Sequence, residues 1–539
     1  MRKKKAIEPT AVLVLTGLSI AVVDVVCRIF LKKIIGDQGY AYYNYAWQTC
    51  FFLMLFSVRG ISEAVSELMS ERLADRQYKN AHRIFVGSGM YVLFVSVIAA
   101  ACAYLFSRQL LPKGGEGAIP AFRILLPAIF LTGILGVMQG YFRAYRNMMP
   151  TVISKVVEAA VGAAVTLGVG MAMSSRASGL DSASKARYGA MGSAFGPVAG
   201  AMSGILFMVL IFSINRRKIH KHIINDKHHA EAVESVKRSI LQQIKPLAFS
   251  MGFFGAGIYT DQMLFASIME EKGIDGGTVA KMFSRFSGMY LSVLLVPFTL
   301  ACVSSAMLAP HVRKCFVSRK FRDLKQKIND GIRNTMLFVI PISALLSAFA
   351  FPLMRIFFGK HTEMAGWMLV FGSCAVIFYS LSAITGRVLL EIGQSAVLSK
   401  NELTALLVNV VLTIVLTSAI PLDGFSVMIA NLTAGIFLSM LNQKTLRKCI
   451  RYQPEYQMTY IYPGLAAFGM AASAMALYGI MEYLFENSVV SLLVAISAAI
   501  VLYFIYYVLL THIKEEELRK MYMGNTLVRM MKLLKFIEF

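Results

Sequence analysis

The chain has 539 residues, of which 57% are apolar and only 16% charged, with a mean hydropathy of +0.62 and a formal charge of +24. So much apolar surface exceeds what one soluble core of this size can bury, which excludes an ordinary cytosolic globular protein. The seven cysteines are scattered, mostly in apolar runs and without a CxxC pair, which excludes a disulfide framework and a thiolate zinc site.

Apolar runs recur along the whole length, and at about twenty residues per crossing they make about fourteen membrane spans. Runs this long and continuous fit helices, whereas barrel strands would alternate over about ten residues. The expected fold is therefore an all-α polytopic membrane protein.

The first run, residues 7–31, follows "MRKKK" and is expected to stay as a helix. It is too long for a signal h-region, and no small-x-small site closes it. It carries Asp24 and Arg28. Four residues apart on a helix, they point about 40° apart and can pair. The second run repeats that spacing with Arg59, Glu63 and Glu67, expected on one face. Further charges fall within spans: Glu158 in the fifth, Asp261 in the seventh, Arg285 in the eighth, and Arg387 with Glu391 at the inner end of the tenth. A charge at the centre of a bilayer helix costs about 2.5 to 3.5 kcal/mol on insertion scales, so these residues are not expected to face lipid. Two readings stay open. They are buried ion pairs that help helices choose partners, or they line a water-accessible cavity between two lobes. Arginine is informative for the second reading, because its guanidinium holds phosphate through two parallel hydrogen bonds and keeps its charge.

In the sixth span, "GSAFGPVAGAMSG" places glycines at 192, 196, 200 and 204, a flat stripe that lets another backbone approach closely. In the seventh, Gly252, Gly255 and Gly257 precede Asp261, where a bend is expected. The connectors carry the positive charge unevenly: assigned alternately, about 38 Lys and Arg fall on the side of "MRKKK" and about 11 on the other. That asymmetry predicts a multi-pass protein of the cell (cytoplasmic) membrane with both termini in the cytoplasm, and nucleic acid is not needed to explain the charge. The richest inner loops are residues 215–239 and 311–334. The first holds His220, His222, His228 and His229, a weak metal-site pattern without a Cys or carboxylate set, so no metal beyond a monovalent cation is expected.

An internal echo links "VMQGYFRAYRNMMPTVISKVVEAAVGAAVTL" from Val137 to "AITGRVLLEIGQSAVLSKNELTALLVNVVLTI" from Ala383. Each has Gly in fourth place, a short polar turn, then "ISK" or "LSK" and a new span. This parallel pseudo-repeat predicts two six-helix lobes around a central cavity. The expected organisation is residues 1–225 as the first lobe, 226–452 as the second, 453–512 as two appended spans, and 513–539 as a tail. The tail's "GNTLVRMMKLLKFIEF" has basic and apolar residues at helical spacing, as for a helix lying on the inner membrane surface.

The segments "GDQGYAYYNYAWQ", "SVRGISEAVSELMSE", "MQGYFRAYRNMMPTVISKVVEAAV", "GSAFGPVAGAMSG" and "FSGMYLSVLLVPFTLACVSSAMLAP" together resemble the polysaccharide-biosynthesis branch of the MOP exporter superfamily. Within it, the likeness is to the stage V sporulation protein B group, relatives of the MurJ lipid II flippases. The resemblance implies alternating-access export of an undecaprenyl-diphosphate-linked glycan, most often lipid II, driven by membrane potential or a cation gradient. It implies no enzyme activity and no cofactor beyond Na+ or H+ coupling. Implied partners are the lipid-linked glycan, membrane lipids and cell-wall glycosyltransferases, with the chain a monomer. By position, Arg28, Arg59 and Arg285 resemble the family's cavity arginines, and Asp24 the acid beside the first. Asp261 falls at the expected cation-binding acid, with Asn409 and Thr433 as its partners. Ser62 and Glu63 depart from the pattern, since many relatives carry Pro and an apolar residue there.

No GxxxxGK[ST] phosphate loop is present, so no nucleotide is implied. Other readings are a flippase for another undecaprenyl-linked polysaccharide and a MATE-like cation-coupled drug or metabolite exporter, which keeps the acids and lacks the arginines. A membrane glycosyltransferase would place catalytic acids or His in a long outer loop. The longest outer connector, "MSSRASGLDSASKARYG", offers only Asp181.

Overall fold

The computed structural model describes residues 9–57, 60–177, 179–226, 228–229, 231–359, 362–419 and 424–511. Arg59 and the expected tail helix, 513–539, lie outside the described residues. Every regular element described is helical. In chain order they are α1 (Pro9–Ser57), α2 (Ile61–Ala74), α3 (Tyr78–Leu105), α4 (Ile119–Leu125), α5 (Pro127–Ala144), α6 (Met149–Arg176), α7 (Ser182–Ile224), α8 (Val233–Glu271) and α9 (Gly276–Ser284). A π-turn, Arg285–Tyr290, leads into α10 (Leu291–Val317). Then come α11 (Phe321–Ala348), α12 (Ala350–Phe358), α13 (Glu363–Gly372), α14 (Ala375–Glu391), α15 (Ser395–Ala419), α16 (Phe425–Ile450), α17 (Tyr462–Phe485) and α18 (Ser488–Thr511).

Among the described residues ten helical stretches are long and apolar enough to cross a membrane, and α13 with α14, bent by 52°, makes an eleventh if the pair is one span. The apolar runs alone predict about fourteen. α1 is not among the ten for a physical reason. Its first leg carries Asp24, Arg28, Lys32 and Lys33, and its second is lined by Tyr40, Tyr43, Asn44, Tyr45, Gln48 and Thr49, all buried. The second leg is packed against protein, whereas the first turns Val22, Val26 and Phe30 outward, as α18 does Leu493, Ile500 and Leu509. Outward apolar surface on this scale suits lipid and would aggregate in water. The chain is a multi-pass membrane protein.

The chain folds as two compact units, Met1–Gly288 with Ser395–Ala430, and Met289–Gln394 with Asn431–Phe539. In the first unit, α6 and α7 form the most extensive helix pairing. The glycine stripe explains it. A Cβ on Gly200 would sit 2.6 Å from the Glu158 carbonyl oxygen, and one on Gly192 2.6 Å from that of Val169. Only residues without a side chain permit backbones this close. Two left-handed glycines set the path of the early chain: Gly36 (φ 73°) joins the legs of α1, and Gly60 (φ 92°) separates α1 from α2. Glu63 and Glu67 lie four apart on α2, while Arg59, expected on their face, lies outside the described residues. α8 runs through Gly252–Gly257 as one unbroken helix. Gly255 serves contact, since any Cβ there would collide with Leu55.

The second unit holds α10 against α14 and α11, with α17 paired to α18 and packed on α11. The two turns of the internal echo close alike, in a manner shared by the ends of α2, α8 and α10. α5 ends with Arg146 at φ 57° and the Asn147 N–H donating to the Phe142 carbonyl (3.1 Å). α14 ends with Gly393 at φ 78° and the Gln394 N–H donating to Leu389 (2.9 Å). Both are left-handed helix stops with the same six-residue closure.

The connector from α7 to α8 is fastened to the start of α3. Asp226 accepts from the Lys79 N–H (2.7 Å) and the His228 N–H (2.9 Å), and its Oδ1 lies 2.7 Å from His228 Nδ1. Burial pushes the Asp226 carboxyl up, but these donors outweigh it and hold the group down at about 2, against an ordinary 3.8. His228 is thus committed to an aspartate. Among the described residues no cluster of three His, Cys, Asp or Glu could hold a metal ion.

Candidate functional site

The first leg of α1 places Asp24, Arg28 and Lys32 at intervals of four, on one face. Arg28 is 8% exposed, and its Nε donates to Asp24 Oδ2 at 2.8 Å, so the expected pair forms. The second leg brings the Tyr40 and Tyr43 hydroxyls to Arg28 across the bend at Gly36. Tyr40 is itself fixed, donating to the Gly288 carbonyl at 2.6 Å. One turn along, Lys32 is 5% exposed, with Nζ 3.2 Å from Asp37 Oδ1. Arg285, at the start of the π-turn, lies near enough to Lys32 to repel its charge. The structure thus brings Asp24, Arg28 and Arg285 to one region of the first unit.

Lys32 was missed by sequence reasoning. At the end of a span, in "FLKKII", a lysine reads as an anchor reaching for the interface. The signal was its spacing from Asp24 and Arg28, which puts it on their face. Three buried or half-buried cations share this region with two carboxylates, Asp24 and Asp37, each about half exposed. Such a cluster suits a multiply charged anion, because guanidinium and ammonium donors can each take a phosphate oxygen.

The second constellation is centred on Asp261 of α8, which is fully buried. Its Oδ1 accepts from Asn409 Nδ2 and from Thr413 Oγ1, both at 2.8 Å and both on α15. Asn409 is where the sequence put it. Thr413 was missed, although the buried residues Asn401, Asn409, Thr413 and Thr417 recur every four or eight positions along α15 and mark a polar stripe in an apolar span. Asn409 Oδ1 is buried and accepts no hydrogen bond among the described residues. A carboxylate, an orphaned amide oxygen and a hydroxyl are hard oxygen donors of the kind a small cation takes. Thr433, the other expected partner, lies on α16 in the second unit.

The remaining intramembrane charges fall elsewhere. Glu63 and Glu67 are half-buried on α2. Glu158 is half-buried on the α6–α7 seam, its Cβ 3.6 Å from where a Cβ on Gly204 would lie. In the second unit Arg387 and Glu391 pair at 3.1 Å along α14, an ion pair of the structural kind.

Comparison with known proteins agrees with this architecture. Residues 7–260 match the family model described as polysaccharide biosynthesis protein. Stage V sporulation protein B of Bacillus subtilis (strain 168) is 22% identical over 98% of this chain and 100% of its own length. The lipid II flippase MurJ of the same organism is 22% identical over 78% of this chain and 79% of its own. Among solved structures, lipid II flippase MurJ in an inward closed conformation superposes with a TM-score of 0.65 at 16% identity, covering 93% of this chain and 99% of that one. An inward-facing multidrug resistance MATE family transporter of the MOP superfamily gives 0.63 at 13% identity, over 81% and 98%. The chain shares the fold of these two solved structures.

Proposed function

We propose that this chain is a lipid-linked oligosaccharide flippase, moving an undecaprenyl-diphosphate-linked glycan, lipid II first among candidates, from the inner to the outer leaflet. The observation that carries the reading is the cluster of buried Arg28 and Lys32 with half-buried Arg285. The prenyl tail is soluble in the bilayer and its charged sugar-diphosphate head is not, so the protein need only shelter the head. Buried cations near mid-depth answer that need. A potential negative inside contributes about 2.3 kcal/mol per charge per 100 mV, driving the anionic head outward and a counter-cation inward. Asp261 with Asn409 and Thr413 is the candidate seat for that cation, Na+ or H+. The protein acts in the cytoplasmic membrane with both termini inside, as two lobes, 1–225 and 226–452, alternating in access.

The test is expression in cells depleted of their lipid II flippase. Growth is restored by the natural chain and not by Arg28→Ala. Rescue that survives the substitution removes the arginine argument. The Asp261 constellation, read alone, favours a second reading, a cation-coupled drug exporter. That reading predicts drug resistance on expression and indifference to Arg28→Ala.

A further inference from the structure

The residues that join α1's two legs, with the connectors before α4, α7 and α9, converge on one cavity of about 690 Å³ in the first unit. Pockets that hold small polar ligands run to about 300–1,000 Å³, so the space suits one or two sugar rings. It is built, not incidental. Gly114 and Gly276 approach so closely that a Cβ on either would collide with the other's backbone. The Gly114 N–H donates to Glu270 at 2.6 Å, and a Cβ on Gly277 would sit 2.9 Å from Gln38 Nε2.

Charge decides what fits. Six ionisable side chains line the cavity: Lys113, Arg187, Lys281, Asp37, Glu116 and Asp275. Two carboxylates are already engaged, Asp37 by Lys32 (3.2 Å) and Asp275 as the cap of α9, accepting from the Thr278 N–H (3.1 Å). Arg187 acts through space on Asp181, whose carboxylate already caps α7 at Ser184. Among the described residues the side chains of Lys113, Arg187 and Lys281 make no hydrogen bond or ion pair. Three uncommitted cations therefore face one uncommitted carboxylate, Glu116. The N-terminal turns of α7 and α9 also open onto the space, with Ser182 and Gly276 in its wall, adding partial positive charge.

We propose that this cavity binds an anionic saccharide of one or two rings. Cationic donors hold its phosphate or carboxylate, and Glu116 and Gln38 take its hydroxyls. In the orientation proposed above it opens outward, and Asp37 joins it through Lys32 to the buried cluster. The inference builds on the flippase reading for its role, while its chemistry stands apart. The saccharide arrives either free in the outer medium or on a membrane-borne lipid.

The test uses the full chain in phosphatidylcholine nanodiscs, acylated with a water-soluble ester, with Lys113, Lys281 and Lys79 followed by mass spectrometry. N-Acetylglucosamine 1-phosphate is expected to slow acylation of Lys113 and Lys281 by about fivefold at about four times its Kd, leaving Lys79 unchanged. Arg187→Gln, which keeps both reporters, is expected to lose that protection. Protection by the soluble sugar phosphate supports capture of a free saccharide. Protection only by prenyl-diphosphate-linked N-acetylglucosamine within the disc supports a membrane-borne one. Equal protection by inorganic phosphate or by neutral N-acetylglucosamine, or none by any probe, overturns the proposal. Growth rescue without protection sinks the cavity alone, and protection without rescue sinks the flippase reading alone.

Discussion

Arg28 and Asp261 are both buried charges in membrane helices, yet they are satisfied in opposite ways. Arg28 meets a counter-charge one turn away on its own helix. Asp261 meets two neutral donors from a helix 148 and 152 residues further along the chain. The first arrangement keeps a cation in place whatever else binds. The second sets a fully buried carboxylate against an amide and a hydroxyl of a helix distant in sequence. Under the proposed function the first region holds the anionic head and the second takes the counter-cation.

The comparison breaks most sharply at its two centres. Arg28→Ala is expected to abolish rescue of flippase-depleted cells, and Arg28→Lys to restore it only partly, since an ammonium keeps the charge but lacks the planar fork. Full rescue by the alanine variant would make the cluster structural. Asp261→Asn, which keeps the shape and removes the charge, is expected to abolish the dependence of transport on a Na+ or pH gradient, measured as uptake into proteoliposomes. Unchanged gradient dependence would move the coupling site elsewhere. A smaller effect is expected at Thr413→Val. Removing a hydrogen bond to a charged group costs about 1.5–3 kcal/mol, so the cation concentration for half-maximal transport should rise by about tenfold or more. The smallest concerns an acid outside the membrane. Asp226 titrates lower in the folded chain than in the unfolded one, so its contribution is full above the ordinary value of 3.8 and is lost as pH falls toward about 2. Thermal stability should drop across that window, and Asp226→Asn should flatten the drop. A variant that melts with the natural chain's pH profile would show that the α7–α8 connector is not fastened by this carboxylate.

Legibility in the sequence followed the range of the interaction. The helical class, the Asp24–Arg28 and Arg387–Glu391 pairs and the close seam at Gly192–Gly204 are local regularities of period four, and each has its counterpart in the structure. Thr413 was not legible as a partner of Asp261, because nothing in a one-dimensional pattern says which helix α8 will meet. Lys32 was not legible as part of the cluster, because its pairing with Asp37 spans the non-helical break at Gly36.

The most direct measurement is binding of undecaprenyl-diphosphate-linked glycan to the purified chain in nanodiscs, comparing the natural protein with Lys32→Gln and Arg285→Gln by native mass spectrometry. If these cations receive the phosphorylated head, each substitution lowers the bound fraction by about tenfold, the loss of one charge-assisted contact. Retention of the full bound fraction in both variants would contradict that account.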